Sequence, residues 1–287
     1  MRIRVVDTTL RDGEQKPGIE FGIEDKIELA KLIDKSFVYQ IEVGIPAMGG
    51  EEKKTIEKIV ELNLQSKIST WNRMNYQDIQ HSVDCGVDII HISVPTSKIQ
   101  IYSKLAKDEE WVIDNMKSSI YYAKEKGFET AVGFEDASRT NIDFLIKLCK
   151  IAKQEGVDRV RYADTVGILY PQKIYNDIKK IKEAVDIEIG IHAHNDFGMA
   201  IANSIAAAKA GAVYIDCTFG GIGERTGNCD YLKFLKAATS MSEDNKQSDN
   251  MDIDSKKEHE DVEKRKLYIV EELNEIIMKK IQAYQEI

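Results

Sequence analysis

The chain alternates short runs rich in β-branched residues with longer amphipathic stretches, and this alternation repeats eight times. Four of the amphipathic stretches end in a glycine directly before the next run, where a left-handed residue commonly ends a helix. Strands that alternate with helices pair in parallel through right-handed crossovers. The pattern therefore predicts the α/β class and a closed (β/α)8 barrel, the TIM barrel. A doubly wound sheet with helical insertions is the alternative. The predicted strands are 3–6, 40–43, 67–71, 88–94, 129–134, 159–162, 188–192 and 213–218.

Composition narrows the class of protein. A chain of 287 residues, 43% hydrophobic and 31% charged, is typical of a globular protein and suits one such barrel. No apolar run approaches the roughly 20 residues that cross a bilayer, and the N-terminus lacks a signal-peptide pattern. The four cysteines show no paired spacing, which indicates reduced thiols in a cytoplasmic protein. A net charge of −9 argues against nucleic acid as a partner.

The character of the sequence changes after the last predicted strand and helix. We predict a barrel domain over 1–239, a mobile polar linker over 240–266 and an amphipathic helix over 267–287. One apolar stripe of that helix is formed by Ile269, Val270, Leu273, Ile276, Ile277, Ile281 and Tyr284. Such a stripe must be buried, either on the chain's own barrel or on a partner subunit.

Polar residues follow the predicted strands at the end where a (β/α)8 barrel holds its active site. Arg11 and Asp12 come soon after the first strand, and His192 and His194 close the seventh. Residues i and i+2 of a strand point the same way, so both imidazoles can face the barrel mouth. Strands one and seven are near neighbours in a closed barrel, so Asp12 can join them in a three-ligand site for a Lewis-acid cation. A hydrogen-bonded core histidine is the alternative.

Other loops at the same end add candidates. The glycine-rich loop after strand eight carries Asn228, an oxygen ligand or orienting group, and matches no phosphate-binding pattern. Ser93, Glu135 and Thr165 follow strands four, five and six and can face the site. Glu42, at the end of strand two, has either a structural role or a hydrogen bond to the site.

Three motifs together resemble a known family. They are Asp-Thr-Thr-Leu-Arg-Asp-Gly-Glu-Gln at 7–15, His-Ala-His-Asn-Asp at 192–196 and Gly-Ile-Gly-Glu-Arg-Thr-Gly-Asn at 221–228. Their type and order are similar to the metal-dependent barrel family of homocitrate synthase, isopropylmalate synthase, citramalate synthase and hydroxymethylglutaryl-CoA lyase. The resemblance covers residues 3 to about 239. Segments 41–48, 91–95 and 134–139 are most similar to nitrogen-fixation homocitrate synthases.

The resemblance implies an activity and roles for the site residues. The activity is an acyltransferase that condenses acetyl-CoA with 2-oxoglutarate, giving CoA and homocitrate for the iron–molybdenum cofactor of nitrogenase. The divalent cation is Mg²⁺ or Mn²⁺, with Zn²⁺ as an alternative. By resemblance, Asp12, His192 and His194 bind the metal with Asn228 at or near it; Arg11 and Glu135 are catalytic; and Gln15, Ser93 and Thr165 bind substrate.

The chain departs from the family in one respect. Full-length members continue into helical segments that supply a His/Tyr pair near the acyl-CoA, whereas the only histidine here beyond His194 is His259. One expectation is therefore an omega-type subunit of a split synthase, completed by a second polypeptide. The other is a catalytically incomplete barrel that acts as a scaffold. Condensation of pyruvate or 2-oxoisovalerate, and aldol cleavage, are further alternatives. We expect the loops after strands two to four, including Ser93, Thr96 and Lys98, to recognise the side chain of the acid, but one sequence does not decide which acid they accept.

Overall fold

The barrel expected from the alternation is confirmed by a computed structural model, which describes residues 3–246 and 253–284. Each strand pairs in parallel with the next, and the eighth pairs with the first, so the sheet closes. The strands are β1 (Arg4–Asp7), β2 (Gln40–Glu42), β3 (Lys67–Arg73), β4 (Ile89–Pro95), β5 (Glu129–Glu135), β6 (Arg159–Asp164), β7 (Glu188–Ala193) and β8 (Tyr214–Cys217).

Helices follow the strands and cover the outside of the barrel. Their apolar faces pack on β-branched residues of the strands, of which Ile41, Ile90 and Val132 are fully buried. The helices are α1 (Ile23–Asp34), α2 (Gly50–Glu61), α3 (Tyr76–Cys85), α4 (Glu109–Glu125), α5 (Ile142–Gln154), α6 (Pro171–Ala184), α7 (Ala200–Lys209), α8 (Tyr231–Lys246) and α9 (Ile253–Ala283).

The N-terminal end of the barrel is filled by side chains. Arg159, at the start of β6, hydrogen-bonds Gln40 across the barrel and lies 4.1 Å above the ring centre of Tyr214. All three residues are buried. A polar layer therefore plugs this end, and a ligand must enter at the C-terminal mouth.

The segment after the barrel differs from the predicted division. Residues 240–266, predicted as a linker, are helical at both ends: α8 continues to Lys246 and α9 begins at Ile253. Residues 247–252 lie outside the described part of the chain. Residues 253–266 are mostly Lys, Glu and Asp and lack an apolar period, but Lys and Glu have high helix propensity. A search for an apolar period therefore misses this part of the helix.

Helix α9 packs on the chain's own barrel. Val270, Ile277 and Ile281 are almost completely buried, against α1, α8 and the 3-10 turn Phe219–Gly221 that follows β8. A Cβ added at Gly220 would lie 2.5 Å from Cε of Met278, so the turn approaches the helix closely. Of the two expectations for the apolar stripe, the structure shows docking on the barrel itself. Among the described helices, none is long and apolar enough to cross a membrane.

Candidate metal centre and active site

Three candidate ligands converge at the barrel mouth from β7 and from the loop after β1. Nε2 of His192 lies 2.9 Å from Oδ2 of Asp12 and 3.3 Å from Nε2 of His194. Nε2 of His194 is 4.0 Å from the same carboxylate oxygen. All three side chains are buried, and one ligand atom from each lies within 4.8 Å of the others. One carboxylate and two imidazoles in this arrangement could hold a divalent cation.

A carboxylate on the neighbouring strand orients His192. Oδ2 of Asp216, on β8, lies 3.1 Å from Nδ1 of His192 and 2.9 Å from Nε of Arg161. A hydrogen bond at Nδ1 leaves Nε2 for the cation side, as in many metal-binding histidines. Asp216 therefore positions His192, one of the three candidate ligands.

Glu42 connects the two arginines beside this site. Its carboxylate accepts from Nε of Arg11 at 2.6 Å and from an Nη of Arg161 at 2.9 Å. Glu42 is fully buried, and burial alone would raise the pKa of its carboxyl, but the two guanidinium groups hold that pKa well below its usual range. Glu42 thus belongs to the charged network of the site, and both of its oxygens are occupied by arginine.

The pKa values of the three ligand candidates differ strongly. Burial would lower the pKa of His192, but hydrogen bonds to Asp12 and Asp216 raise it to about 9. Burial and the neighbouring His192 lower the pKa of His194 to about 4. Burial opposes ionisation of Asp12, but Arg11 and His192 hold its pKa well below the usual value. Near neutral pH, Asp12 is therefore anionic, His194 neutral and His192 protonated when no cation shares the site.

The glycine-rich loop brings Asn228 against the histidines. Asn228 forms an isolated bridge with His194, and its Nδ2 donates to the carbonyl of Ile222 at 2.9 Å. Gly223 has a φ of +153°, and a Cβ there would overlap the Asn228 amide, which requires a glycine. Among the described residues, no hydrogen-bond partner reaches the buried Oδ1 atoms of Asn228 and Asp12. Two unsatisfied oxygens beside two imidazoles fit a divalent cation.

A pocket of about 180 Å³ extends from these ligands across the mouth. Oγ of Ser93 donates to Oε1 of Glu135 at 2.5 Å. Oγ1 of Thr165 accepts the backbone N–H of Asp136 at 2.9 Å. Gln15, exposed on the 3-10 turn after Asp12, lines the rim of the same pocket. The structure thus gathers Asp12, His192, His194, Arg11 and the predicted substrate residues around one cavity. Asn228 is outside its lining and forms a backbone bridge with His194.

Sequence reasoning gave no role to four residues at this site. His91 and Arg161 line the pocket, with Nη1 of Arg161 3.4 Å from Nε2 of His91. Asp216 holds His192, and Oε1 of Glu224 lies 3.7 Å from Nε2 of His194. The sequence did contain a signal for three of them, because His91, Arg161 and Asp216 are ionisable residues inside predicted strands. A period of two places such residues on the interior face of a barrel.

Known proteins share this sequence and fold. A family model described as HMGL-like matches residues 2–261. Homocitrate synthase subunit alpha of Clostridium pasteurianum is 57% identical over 242 residues, which are 84% of this chain and 90% of that relative. 2-isopropylmalate synthase 2 of Caldanaerobacter subterraneus is 51% identical, over 79% of this chain and 59% of its own length. Homocitrate synthase 1 of a Nostoc strain is 43% identical, over 79% and 60%.

The chain therefore spans about three fifths of two of these relatives. The clostridial relative bears the name subunit alpha, where the sequence led us to expect the omega type. Among solved structures, the HMG-CoA lyase of Bacillus subtilis superposes with a TM-score of 0.79 at 15% identity, over 98% of this chain and 94% of that one. This low identity supports the fold alone. The family model covers nearly the whole barrel, and relatives above 40% identity cover most of the chain, so the chain belongs to the HMGL-like family.

Proposed function

We propose that this chain is the metal- and oxo-acid-binding subunit of a homocitrate synthase, which condenses acetyl-CoA with 2-oxoglutarate. The observation that carries the proposal is the convergence of Asp12, His192 and His194 beside Arg11 in one buried pocket. The relative that is 57% identical and named homocitrate synthase subunit alpha favours this reaction over the others of the family.

The side chains divide the chemistry between them. Asp12, His192 and His194 would hold the cation, with Asn228 as a further oxygen donor. A divalent cation held there would supply Lewis-acid polarisation to the keto group of a chelating 2-oxo acid. Arg11 lines the pocket beside Asp12, with Nη1 3.3 Å from its Oδ2, and so places positive charge where negative charge develops on the keto oxygen.

The reaction needs a proton acceptor as well as an electrophile. A base removes a methyl proton from acetyl-CoA, the resulting carbon forms a bond to the keto carbon, and the keto oxygen takes a proton to become a hydroxyl. Water then cleaves the thioester to a carboxylate and the CoA thiol. We place Glu135, with Ser93 bonded to Oε1, beside the thioester, and we propose that the methyl proton goes to a base on a second polypeptide.

The surface around the mouth supports a second polypeptide. Seven large apolar side chains exposed in the described residues lie on loops at the C-terminal ends of the strands. A ring of this kind at the mouth of an active site is typical of a surface that a protein partner covers. The seven residues are Met48, Ile99, Tyr102, Leu105, Ile168, Tyr170 and Phe197.

The test is release of CoA thiol from acetyl-CoA, with the purified chain alone and with candidate partner polypeptides from the same source. Thiol release with 2-oxoglutarate, compared with 2-oxoisovalerate and pyruvate, identifies the acid. Equal activity of the lone chain and the mixture would exclude completion by a partner. A chain that binds metal but releases no thiol in any mixture would instead be a scaffold subunit. This is the second candidate function, and the exposed apolar residues around the mouth are consistent with it.

The metal site has a separate test. His192→Ala should abolish stoichiometric binding of a divalent cation, measured by elemental analysis after dialysis. His81→Ala, on α3 and remote from the pocket, is the matched control and should bind as the unsubstituted protein does. A His192→Ala protein that retains one cation per chain would contradict the assignment of ligands.

The biological role is proposed as supply of homocitrate for the iron–molybdenum cofactor of nitrogenase. A nitrogen-fixing host that lacks this chain should lose nitrogenase activity and regain it with added homocitrate. If added homocitrate did not restore nitrogenase activity, this biological role would be wrong, whereas the proposed enzymatic activity would be unaffected.

A further inference from the structure

One arginine at the mouth of the barrel connects three loops. Arg225, in the glycine-rich loop after β8, donates from Nε to Oδ1 of Asp196 at 2.9 Å and from Nη2 to Oδ2 at 3.1 Å. Asp196 lies in the loop after β7. Nη2 of Arg225 also donates to the backbone oxygen of Thr165, in the loop after β6, at 3.0 Å. A single guanidinium group therefore joins the connections that follow β6, β7 and β8.

The backbone of the glycine-rich loop makes Arg225 an exception among its neighbours. Its φ is +55°, a left-handed conformation that a residue with a Cβ adopts only at an energetic cost. The other residues of this loop with a positive φ are all glycines, namely Gly220, Gly221, Gly223 and Gly227. The one position that keeps a side chain despite the cost is thus the one whose side chain bonds the neighbouring loops. This indicates that the contacts of Arg225 offset the strain of its backbone.

The turn after Thr165 packs directly on the carboxylate that Arg225 holds. A Cβ added at Gly167 would lie 1.9 Å from Oδ2 of Asp196, so the loops after β6 and β7 touch with no space for a side chain between them. The same oxygen accepts from Nη2 of Arg225. The position of Asp196 against Gly167 therefore depends on the pair that Asp196 forms with Arg225.

Thr165 is held from two sides. Its Oγ1 accepts the backbone N–H of Asp136 at 2.9 Å, and its backbone oxygen accepts from Arg225. Because the hydroxyl oxygen accepts from Asp136, the hydroxyl proton is left to donate to an acceptor in the reaction pocket, which Thr165 lines. His192 and His194 line the same pocket. A shift of the loop after β6 would therefore move a hydrogen-bond donor relative to the candidate metal ligands.

Arg225 itself is not among the residues that line the reaction pocket, whereas Thr165 and Glu224 are. Nη1 of Arg225 donates to Oε1 of Glu224 at 2.9 Å, and the same oxygen lies 3.7 Å from Nε2 of His194. The carboxylates of Asp196 and Glu224 thus compensate the charge of the guanidinium, which is not available to attract an anionic substrate. Any effect of Arg225 on a ligand must pass through the residues that it holds.

We propose that Arg225 is a positioning residue for the oxo acid, because its bonds to Asp196 and to the Thr165 carbonyl fix the loop after β6 against the loop after β7. This rests on the proposed function, since it concerns the acid of that same site. An acid held by His192 and His194 through a cation must meet the Thr165 hydroxyl at the same time. The spacing between the two loops therefore decides how tightly the acid binds.

The kinetic test uses the active mixture and compares Arg225→Gln with a matched substitution. Arg225→Gln should raise KM for 2-oxoglutarate about tenfold, the effect of one misplaced hydrogen bond to a charged group, with little change in kcat or in KM for acetyl-CoA. Asp196→Asn should act in the same way, and the double variant should be no worse than Arg225→Gln alone, since both break one pair.

The control is Arg73→Gln, which breaks a similar pair at the same end of the barrel. Nε and Nη2 of Arg73 donate to the two oxygens of Asp78 at 2.7 and 2.9 Å. This pair joins only the end of β3 to α3, which directly follows it in the chain, and so connects no separate loops. Arg73→Gln should leave KM for both substrates unchanged.

Hydrogen exchange of the full chain separates this proposal from the proposed function, because it requires no catalysis. The amides of Gly167, Ile168 and Leu169 donate to Asp164 and report on the loop after β6. In Arg225→Gln they should exchange about tenfold faster or more. Exchange in β6 and β7 and the midpoint of urea denaturation should not change, because the lost ion pair is partly exposed.

The outcomes distinguish a positioning role from a merely structural one. Faster exchange at 167–169 in Arg225→Gln, but not in Arg73→Gln, sustains the positioning of the loop even if no thiol is ever released. Unchanged exchange there would overturn the proposal. In an active mixture, so would an unchanged KM for 2-oxoglutarate, an equal rise in KM for acetyl-CoA, or an equal effect of Arg73→Gln.

Discussion

Ion pairs occur in two very different settings in this molecule. Inside the barrel, Arg161 pairs with both Glu42 and Asp216, and all three side chains are at most 8% exposed. On the surface, Lys280 of α9 lies 2.7 Å from Glu28 of α1, with both side chains more than a third exposed. The separations are nearly equal, but the interior side chains are at most 8% exposed, so little water can replace a lost partner. Distance alone therefore says little about what an ion pair contributes, and burial decides it.

The largest effect should follow loss of charge at Glu42. Glu42→Gln preserves the volume but leaves Arg11 and Arg161 buried with less compensation, so we expect a loss of about 3–5 kcal/mol in the free energy of unfolding. Urea denaturation measures it. Adding Arg161→Met should recover part of the loss, since one uncompensated charge is then removed. A loss below 1 kcal/mol would show that water reaches the interior charges.

An intermediate effect is expected at Lys26. Lys26→Met leaves Glu14 and Glu52 without their shared cation, but these carboxylates are 23% and 16% exposed and are partly hydrated. We expect a loss of about 2 kcal/mol in the free energy of unfolding. Lys26→Arg is the control and should cost less because the charge is kept. If Lys26→Met lowered the free energy of unfolding as much as Glu42→Gln, partial exposure of the Glu14 and Glu52 carboxylates would not reduce the cost of losing their partner.

The proton on His192 gives a pH-dependent prediction. Its pKa is raised to about 9, so near neutral pH a cation must displace one proton from the site. Cation affinity should then fall about tenfold, or about 1.4 kcal/mol, for each unit of pH lowered below 9, and binding should release about one proton per chain. Titration in two buffers of different ionisation enthalpy measures the release.

The protein without a cation should show the opposite trend. The raised pKa of His192 contributes stability that is fully present below pH 6.5 and is lost as the pH rises through about 9. Asp216→Asn removes one of the groups that raise this pKa, so both trends should shift to lower pH. Cation binding without proton release at pH 7.5 would contradict the assignment of the proton to His192.

The smallest effect should come from the surface pair. Glu28→Gln removes the partner of Lys280, and we expect a change within about 0.5 kcal/mol, because exposed pairs contribute little. Thermal unfolding in low and high salt measures it. A loss above 1 kcal/mol that disappears in high salt would mean that this pair holds α9 on the barrel, where we assign that role to Val270, Ile277 and Ile281.

The fold was predictable because each strand and helix has its own local period. The (β/α)8 barrel and the alignment of Asp12 with His192 both follow from period-two strands and closure, and the structure bears out the barrel. The roles assigned to Asp12, His192 and the other site residues remain predictions. Helix α9 was shortened in the prediction because the sequence of residues 253–266 shows no apolar period.

The interior network was less accessible from sequence. Glu42 accepts from Arg161, 119 residues away in the chain, and nothing local to either residue names the other. Only barrel closure and strand register bring them together, and a one-residue change of register would turn either side chain out of the barrel. The polar residues of these strands can be identified in the sequence, but which of them pair depends on the tertiary structure.

The arginine that Glu42 and Asp216 share has an evolutionary consequence. Arg161 contacts both carboxylates, and Asp216 also contacts His192, so a substitution at any of these positions leaves a charge for the others to absorb. Single replacements should be rejected by selection even where each is chemically modest. Across related chains, positions 42, 161 and 216 should therefore change together or not at all, whereas positions 28 and 280 should drift independently.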